Sequence, residues 1–261
     1  MTLHETAYAK VNLALHVRRR RDDGYHDLET VFAFCKDGDV VTAELASTLT
    51  LTIDGPFAKC LSTTDNLILR AAAAIGVSAR LHLTKNMPVA SGIGGGSADA
   101  AATLRVLARL SGKPLPSLDA QRALGADVPA CVLSQTMRGE GAGEALSPVA
   151  SVAGTPILLV NPCIPLSTAA VFGAWDRIDR GPLGDWVSGR NDLEAPASAL
   201  VPQISALIEW LSCHHDVTIA RMSGSGATCM ALLPTEAACT NAVNQIREAF
   251  PGYWTMESRL R

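Results

Sequence analysis

Alternating apolar and polar residues run through much of the first half of the chain and predict a β-sheet. Residues 4–17 alternate loosely, and this pattern predicts one long strand. Shorter β-like runs predict further strands over residues 30–36, 39–45, 48–53 and 80–84. The first half is therefore expected to be a sheet interrupted by helices.

Helices in the first half are indicated by capping residues and by runs rich in alanine and leucine. Residues 67–74 predict a helix capped by Asp65 or Asn66, and residues 117–124 predict a short helix that begins with Ser117. The alanine-rich run over residues 100–110 predicts a longer helix, because alanine has the highest helix propensity.

Strands and helices alternate in the second half of the chain. The patterns predict strands over residues 156–160, 217–222, 228–232 and 253–257, helices over residues 167–178 and 235–250, and interrupted helices over residues 191–212. This order is typical of an α+β sandwich. Residues 148–156 have the composition of a linker, which predicts two domains, 1–153 and 154–261.

Composition and charge narrow the class of protein. Of the 261 residues, 48% are hydrophobic and 18% are charged, which favours a folded globular protein over a disordered one. The net charge of −3 gives no basic footprint for nucleic acid. The sequence shows no apolar run of membrane-spanning length, and its seven cysteines form no C-x-x-C pair. We expect a cytoplasmic protein with reduced thiols and without nucleic-acid or membrane partners.

A glycine-rich loop lies between the strand at residues 80–84 and the alanine-rich helix. Its members, all expected to contact a nucleotide, are Pro88, Val89, Ala90, Ser91, Gly92, Ile93, Gly94, Gly95, Gly96, Ser97 and Ala98. A strand, a bare glycine turn and a helix N-terminus together form a site for phosphate, because the first N–H groups of the helix have no partner within it. The loop matches neither G-x-G-x-x-G nor G-x-x-x-x-G-K-[ST]. The alternative is a turn that only lets the helix pack closely on the strand.

Several polar residues away from the loop are candidates for chemistry. Lys10 and Asn12 share one face of the first strand, where a solvated face is the alternative. Asp127 lies between a helix and Pro129, where it is either a general base or a turn residue. The Tyr25-His26 pair either stacks on a planar ring or packs at a strand start.

A second glycine-rich turn, Ser223-Gly224-Ser225-Gly226-Ala227, separates two predicted strands. It is either a simple hairpin or a loop whose N–H groups and hydroxyls face phosphates. Residues 18–21 are four consecutive arginines, which we interpret as a solvated hairpin tip.

Three of these stretches occur in an order found in one family. Residues 9–13, 88–97 and 223–227 resemble the three motifs of the GHMP small-molecule kinases, which include galactokinase and the homoserine, mevalonate and phosphomevalonate kinases. The likeness runs from Tyr8 to about Leu232 and so covers nearly the whole chain.

Three further stretches resemble one branch of that family. Residues 22–28, 125–129 and 190–194 read DDGYHDL, GADVP and RNDLE. They are similar to the signatures of the branch that phosphorylates a cytidine diphosphate derivative of methylerythritol, in the non-mevalonate route to isoprenoids. The run of arginines at residues 18–21 and the serine at position 91 depart from the usual pattern.

The resemblance implies a two-domain α+β fold. The N-terminal domain would resemble domain 2 of ribosomal protein S5, with a left-handed βαβ crossover, and the C-terminal domain would be a ferredoxin-like α/β sandwich. ATP and the substrate are expected in the cleft between the two domains. The chain is expected to act as a monomer or a weak homodimer.

The resemblance also implies a role for each candidate residue. Asp127 would accept the proton of the 2-hydroxyl group while Lys10 stabilises charge on the transferring phosphoryl group. The remaining assignments are Lys85 and Asn66 near the adenosine of ATP, Asn12 beside the reacting hydroxyl, Tyr25 and His26 on the cytosine, and Ser97 as a ligand of Mg²⁺.

Three other functions remain open from the sequence. The first is a kinase of the same family with another alcohol, such as mevalonate or homoserine, for which the Tyr25-His26 pair has no obvious use. The second is a nucleotide-binding protein without catalysis, and the third is a hydrolase with Ser97 as nucleophile. A lysine and an aspartate suited to catalysis argue against the second, and no histidine is placed to activate Ser97.

Overall fold

A computed structural model describes residues 1–141 and 143–261 and shows an α+β protein. Its strands are β1 (Thr2–Arg20), β2 (His26–Leu45), β3 (Thr50–Asp54), β4 (Ala79–Thr84), β5 (Met137–Gly141), β6 (Ala145–Pro148), β7 (Pro156–Asn161), β8 (Ile219–Met222), β9 (Cys229–Leu232) and β10 (Trp254–Arg259). Its helices are α1 (Leu67–Ile75), α2 (Gly95–Ser111), α3 (Leu118–Leu124), α4 (Val128–Leu133), α5 (Thr168–Ala174), α6 (Glu194–Leu200), α7 (Gln203–Cys213) and α8 (Glu236–Ala249), with a 3₁₀ turn at Ala58–Cys60.

The chain forms two compact units from interleaved segments. Unit 1 contains Met1–Lys10, Asp37–Val89 and Gly94–Ser134, and unit 2 contains the rest of the described chain. The long strands β1 and β2 each contribute residues to both units. Among the described residues, no helix combines the length and the apolar character needed to cross a membrane.

Unit 1 packs helices against a small sheet. The second part of β2 pairs antiparallel with β4, with Val40 opposite Thr84, and β3 pairs parallel with β4, with Thr50 opposite Arg80. The parallel pair β3 and β4 is joined through α1, which packs against α2. The core between these elements is made by fully buried aliphatic side chains, namely Ile68, Leu83, Met87, Leu104 and Leu107.

Unit 2 contains a four-stranded antiparallel sheet in the order β10-β7-β9-β8. Its chain order is strand, helices, two strands, helix and strand, which is the ferredoxin-like arrangement predicted for the second half. One apolar core joins the sheet to α5, α6, α7 and α8 through buried residues such as Leu158, Val171, Leu207 and Ile246. The strands β5 and β6 pair beside the first part of β2 in the same unit.

The predicted helix starts are confirmed where a capping side chain marks them. The Asn66 side chain accepts a hydrogen bond from the N–H group of Ile68 at the start of α1, and Ser117 accepts one from Ala120 at the start of α3. The helix predicted over residues 167–178 is shorter than expected, because α5 ends at Ala174.

Two predicted strand boundaries are wrong. The strands expected over residues 30–36 and 39–45 form one strand, β2, which passes through Gly38 without a turn. A Cβ atom on Gly38 would lie 2.0 Å from the carbonyl oxygen of Ala7, so glycine lets the two backbones approach.

The arginine run also differs from the expected hairpin tip, because β1 continues to Arg20. Ion pairs occupy three of the four arginines: Arg18 pairs with Glu29, Arg19 with Asp27, and Arg21 with Asp23. These pairs connect the end of β1 to β2 and to the turn between them. The arginine run is therefore held by ion pairs and is not a solvated hairpin tip.

Candidate active site

The N-terminus of α2 has no capping side chain among the described residues. Helices α4, α6 and α7 also begin without a capping side chain, whereas α1, α3, α5 and α8 have one; the start of α2 differs in that the residue before it is a glycine, Gly94, with φ of 64°. The first turn of α2 carries no acidic residue. Its N–H groups and its positive helix end are therefore available to an anion.

Lys10 and Asp127 form an ion pair in unit 1. The Lys10 Nζ atom donates to Asp127 Oδ2 at 2.7 Å, and the two side chains are 6% and 35% exposed. Asp127 precedes α4 without capping it, so its carboxylate is directed to the lysine instead. The predicted pair is therefore brought together, with its lysine buried and its carboxylate accessible.

The same pair lies beside the start of α2. A Cβ atom on Gly94 would be 3.2 Å from Lys10 Cβ and 3.3 Å from Lys10 Cε. A Cβ atom on Gly125 would be 3.5 Å from the Ser97 hydroxyl. Unit 1 thus collects a cation, a carboxylate, a hydroxyl and free backbone N–H groups, which is a suitable set for binding and transferring a phosphoryl group.

The Cys131 thiol is next to this pair in α4 but is chemically inert. Burial raises the pKa of Cys131 to about 12. Because only a thiolate is a good nucleophile, Cys131 fills space in the core rather than taking part in chemistry.

Asn12, in unit 2, is buried with one free acceptor. Its Nδ2 atom donates to Thr30 Oγ1 at 2.8 Å, and Thr30 Oγ1 donates onward to the carbonyl of Ala14 at 2.6 Å. Since the threonine proton is used there, Thr30 accepts from Asn12, which fixes the orientation of the amide. Asn12 Oδ1 has no hydrogen-bond partner within the described chain, so it is ready to accept one from a ligand.

The turn at residues 223–227 is bound to the middle of the glycine-rich loop, within unit 2. Ser223 Oγ accepts from the N–H group of Asn12 at 3.1 Å and donates to the carbonyl of Gly92 at 2.9 Å. A Cβ atom on Gly92 would be 2.4 Å from the carbonyl oxygen of Ser223, so this approach requires glycine. The turn is more than a simple hairpin, because it holds Asn12 and the loop together.

The RNDLE stretch, residues 190–194, makes hydrogen bonds to the backbone of this turn and of the residue before it. Asn191 Nδ2 donates to the carbonyls of Met222 and Gly224 at 2.7 and 2.8 Å. Glu194 Oε2 accepts from the N–H group of Met222 at 2.9 Å, and Asp192 Oδ2 accepts from Val17 in β1 at 2.8 Å. The motif therefore has a structural role that its sequence did not indicate.

Tyr25 and His26 lie in unit 2 in different surroundings. Tyr25 is 63% exposed, whereas the His26 ring stacks on Phe172 with centroids 4.5 Å apart and meets the edge of Trp175 at 5.8 Å. Burial, together with nearby Arg20, lowers the pKa of His26, so its ring is neutral at pH 7. Phe172 and Trp175 were not predicted as partners of His26, although two aromatic residues in one predicted helix were a usable signal.

Lys85 and Asn66 both make hydrogen bonds to other residues of the protein. Asn66 caps α1 with its oxygen, and its Nδ2 atom donates to the carbonyl of Ser62 at 3.0 Å. Lys85 Nζ donates to Asp39 Oδ2 at 2.6 Å and to Asp99 Oδ2 at 2.7 Å, and its side chain is 2% exposed. Their predicted place near the adenosine of ATP stays a prediction.

Burial and charge act against each other in this lysine cluster. Burial alone would lower the pKa of Lys85, but the two carboxylates outweigh it and raise that pKa. Burial raises the pKa of Asp99 to about 7, against the opposing effect of Lys85. Asp39 and Asp99 were not predicted as partners of Lys85.

Comparison with protein families gives two matches along the chain. The family described as GHMP kinases N terminal domain matches residues 66–135, and the family described as GHMP kinases C terminal matches residues 172–252. The first match contains the start of α2 and Asp127, and the second contains the RNDLE stretch and the turn at residues 223–227.

Individual proteins match nearly the whole chain. A protein of Rhizorhabdus wittichii named 4-diphosphocytidyl-2-C-methyl-D-erythritol kinase is 50% identical, with 98% of this chain and 94% of that protein covered. A protein of Sphingopyxis alaskensis with the same name is 48% identical, with 100% of this chain and 99% of that protein covered.

Solved structures give the same picture. The crystal structure of a 4-(cytidine 5'-diphospho)-2C-methyl-D-erythritol kinase has a TM-score of 0.84 and 31% identity, with 99% of both chains covered. Homoserine kinase from Cytophaga hutchinsonii, at 14% identity and a TM-score of 0.70 over 98% of this chain and 94% of its own, shares the fold alone. The fold and the family predicted from the motifs are confirmed: this chain belongs to the 4-diphosphocytidyl-2-C-methyl-D-erythritol kinase family of the GHMP kinases.

Proposed function

We propose that this chain transfers the γ-phosphoryl group of ATP to the 2-hydroxyl of 4-diphosphocytidyl-2-C-methyl-D-erythritol. The observation that carries the proposal is the Lys10–Asp127 pair, 2.7 Å apart, beside the uncapped start of α2. The names of relatives 48–50% identical over nearly the full length support the choice of substrate.

In the proposed reaction the protein mainly positions charges. The hydroxyl oxygen forms a bond to the γ-phosphorus, the bond from that phosphorus to the β,γ-bridging oxygen breaks, and ADP leaves. Asp127 takes the hydroxyl proton, for which its exposed carboxylate is suited. Lys10 and the N–H groups at the start of α2 stabilise the negative charge on the phosphates.

We assign the substrate to residues of unit 2. Asn12 Oδ1 is a buried acceptor without a partner among the described residues, and a substrate hydroxyl would satisfy it. The exposed Tyr25 ring would stack on the cytosine, and the neutral His26 ring, held against Phe172, would hydrogen-bond its edge.

Mg²⁺ is expected to accompany ATP. The Ser97 hydroxyl is an oxygen donor, the type of ligand that Mg²⁺ prefers, and it lies next to Gly125 in the same unit. This hydroxyl fits the ion, which would neutralise phosphate charge when bound.

The remaining expectations are part of the same proposal. The domains 1–153 and 154–261 agree with family matches at residues 66–135 and 172–252, one on each side of residue 153. The seven cysteines without a C-x-x-C pair support a reducing compartment, the cytoplasm. We expect a monomer or a weak homodimer.

A phosphate-transfer assay tests the proposal. The full chain is incubated with ATP, Mg²⁺ and the cytidine diphosphate substrate, in parallel with mevalonate and with homoserine. We expect ADP release with the cytidine substrate and at least 100-fold lower kcat/KM with the other two alcohols, about the loss when a bound group is missing. Equal turnover of mevalonate or homoserine, or no turnover of any alcohol, would contradict the proposal.

A further inference from the structure

We propose that Lys85, Asp39 and Asp99, here called the Lys85 cluster, position the phosphate-binding loop. They are positioning residues, which hold the start of α2 where the triphosphate must be bound. The inference rests on the proposed function, because it assumes that the N–H groups at the start of α2 bind phosphate.

The Lys85 cluster joins the two ends of the loop within unit 1. Lys85 directly follows β4 and precedes the loop, whereas Asp99 follows the loop on α2. The lysine ammonium bonds to Asp99 at 2.7 Å and to Asp39, on β2, at 2.6 Å. One lysine therefore ties the chain before the loop to the helix after it and to the sheet.

Asp39 strengthens the anchor on the strand side. Its Oδ1 atom accepts from the N–H groups of Asn86 and Met87 at 2.6 and 2.8 Å. These two residues lead directly into Pro88, where the loop begins. Backbone and side chain are thus held by one carboxylate, so the path of the chain into the loop is restricted.

The ammonium lies directly under the first turn of α2. A Cβ atom on Gly95 would be 3.1 Å from Lys85 Nζ, so the ammonium is close to the backbone of this turn. The N–H groups of the same turn are the proposed phosphate donors. A displacement of a few tenths of an ångström there would misalign several hydrogen bonds to phosphate at once.

Stability alone does not explain three ionisable groups in the core. All three side chains are at most 4% exposed, and Asp99 Oδ1 has no hydrogen-bond partner among the described residues. Apolar residues of similar volume are often as stable as a buried ion pair, or more so. Such a cluster fixes the geometry of the segments that it joins. The phosphate-binding loop is the segment that requires a fixed geometry.

The cluster also changes the interpretation of Lys85. The resemblance to the family predicts this lysine near the adenosine of ATP. Its ammonium is enclosed and bound to two carboxylates, so we infer that it affects ATP through the loop. The two roles differ in one measurable way, since a contact to adenosine senses the base and a positioned loop senses only the triphosphate.

The test is Asp99→Asn in the full chain, with steady-state kinetics for ATP, GTP and the cytidine substrate. The change keeps the shape of the side chain and removes its charge. We expect KM for ATP to rise about tenfold, by the same factor as KM for GTP, with KM for the cytidine substrate unchanged. An increase confined to ATP, or equal increases for ATP and the cytidine substrate, would overturn the proposal.

Glu5→Gln is the matched control. Glu5 accepts from Arg105 Nε at 2.8 Å and also pairs with Arg109, so it too ties α2 to the sheet, but at arginines about two helical turns or more beyond the end of the loop. It is expected to lower stability without changing KM for any nucleotide. A rise in KM for ATP in Glu5→Gln equal to that in Asp99→Asn would show that the cluster acts only on general stability.

Hydrogen exchange provides a second measurement that does not depend on turnover. Asp99→Asn should speed exchange of the backbone amides of residues 94–98, whereas Glu5→Gln should leave them unchanged. If Asp99→Asn does not fold, Asp39→Asn takes its place with the same expectations. Unchanged exchange at residues 94–98 in a folded variant would overturn the proposal.

Discussion

Two lysine–aspartate arrangements in unit 1 have nearly equal distances and very different surroundings. Lys10 is 2.7 Å from Asp127, whose side chain is 35% exposed, whereas Lys85 is 2.6 and 2.7 Å from Asp39 and Asp99, which are 0% and 4% exposed. The distance between the atoms therefore does not separate a catalytic pair from a positioning one. The two kinds of pair differ instead in whether one partner is accessible to a ligand.

The comparison has an energetic side. An accessible carboxylate keeps part of its hydration, so the desolvation of Asp127 costs little free energy and its carboxylate can accept a proton. A fully buried carboxylate depends on its partners, so loss of one partner leaves the others uncompensated. We therefore expect changes at Asp127 to act on turnover and changes in the Lys85 cluster to act on stability and loop geometry.

The largest effect is expected from Asp39→Ala. It removes one charge from the Lys85 cluster and two acceptor bonds to backbone N–H groups, and should lower the free energy of unfolding by about 4 kcal/mol. Urea unfolding followed by circular dichroism measures it. Asp127→Ala is the comparison: it removes no bond to a backbone N–H group but leaves the buried Lys10 without this carboxylate, and it should cost about 2 kcal/mol. Equal losses in both variants would remove the distinction.

Asp127→Ala should have the second largest effect, on turnover. Loss of the proton acceptor should reduce kcat at least ~100-fold while ATP binding, measured by calorimetry, is kept. Asp119→Ala is the control, because Asp119 is 92% exposed and its ion pair with Arg122 lies on the surface of α3. Unchanged turnover in Asp127→Ala would exclude this carboxylate as the base.

The third prediction compares alanine substitutions of two glycines at opposite ends of α2. The comparison distinguishes backbone strain, which both substitutions cause, from displacement of Lys10, which only one causes. Gly94 and Gly112 have φ of 64° and 71°, so alanine at either position should cost about 1 kcal/mol of stability. Only Gly94→Ala places a methyl group against Lys10, and its kcat should fall about tenfold. Steady-state kinetics and thermal unfolding measure kcat and stability for both variants. Equal kcat values in the two variants would contradict the prediction, because they would show that displacement of Lys10 does not affect turnover.

The smallest effect is expected from Tyr25→Ala, which extends the comparison to an exposed group in unit 2. Loss of a stacking ring should raise KM for the cytidine substrate about fivefold, with KM for ATP unchanged. Separate titrations of the two substrates give both constants. A parallel rise in both would mean that Tyr25 does not contact the cytosine.

Local patterns in the sequence were sufficient where a contact is local. The Asn66 and Ser117 caps, the strand before the glycine-rich loop and the interrupted helices α6 and α7 follow from neighbouring residues. Motif order was sufficient for the family and for the Lys10–Asp127 pair, although 117 residues separate its members.

Contacts between distant segments without a motif could not be predicted. Asp39 is 46 residues from Lys85, and nothing in the sequence marks the two as partners. The continuity of β2 through Gly38 depends on Ala7 in another strand, and the stack of His26 on Phe172 depends on α5. Each requires the tertiary structure, because the residues involved are ordinary ones in their own local pattern.

The proposed function depends most on where the triphosphate binds. A crystal structure of the full chain with Mg²⁺ and a non-hydrolysable ATP analogue measures this directly. We predict that the phosphates contact the N–H groups at the start of α2 and that the γ-phosphate is within hydrogen-bond distance of Lys10 Nζ. A triphosphate bound elsewhere, with Lys10 and Asp127 remote from it, would contradict the account.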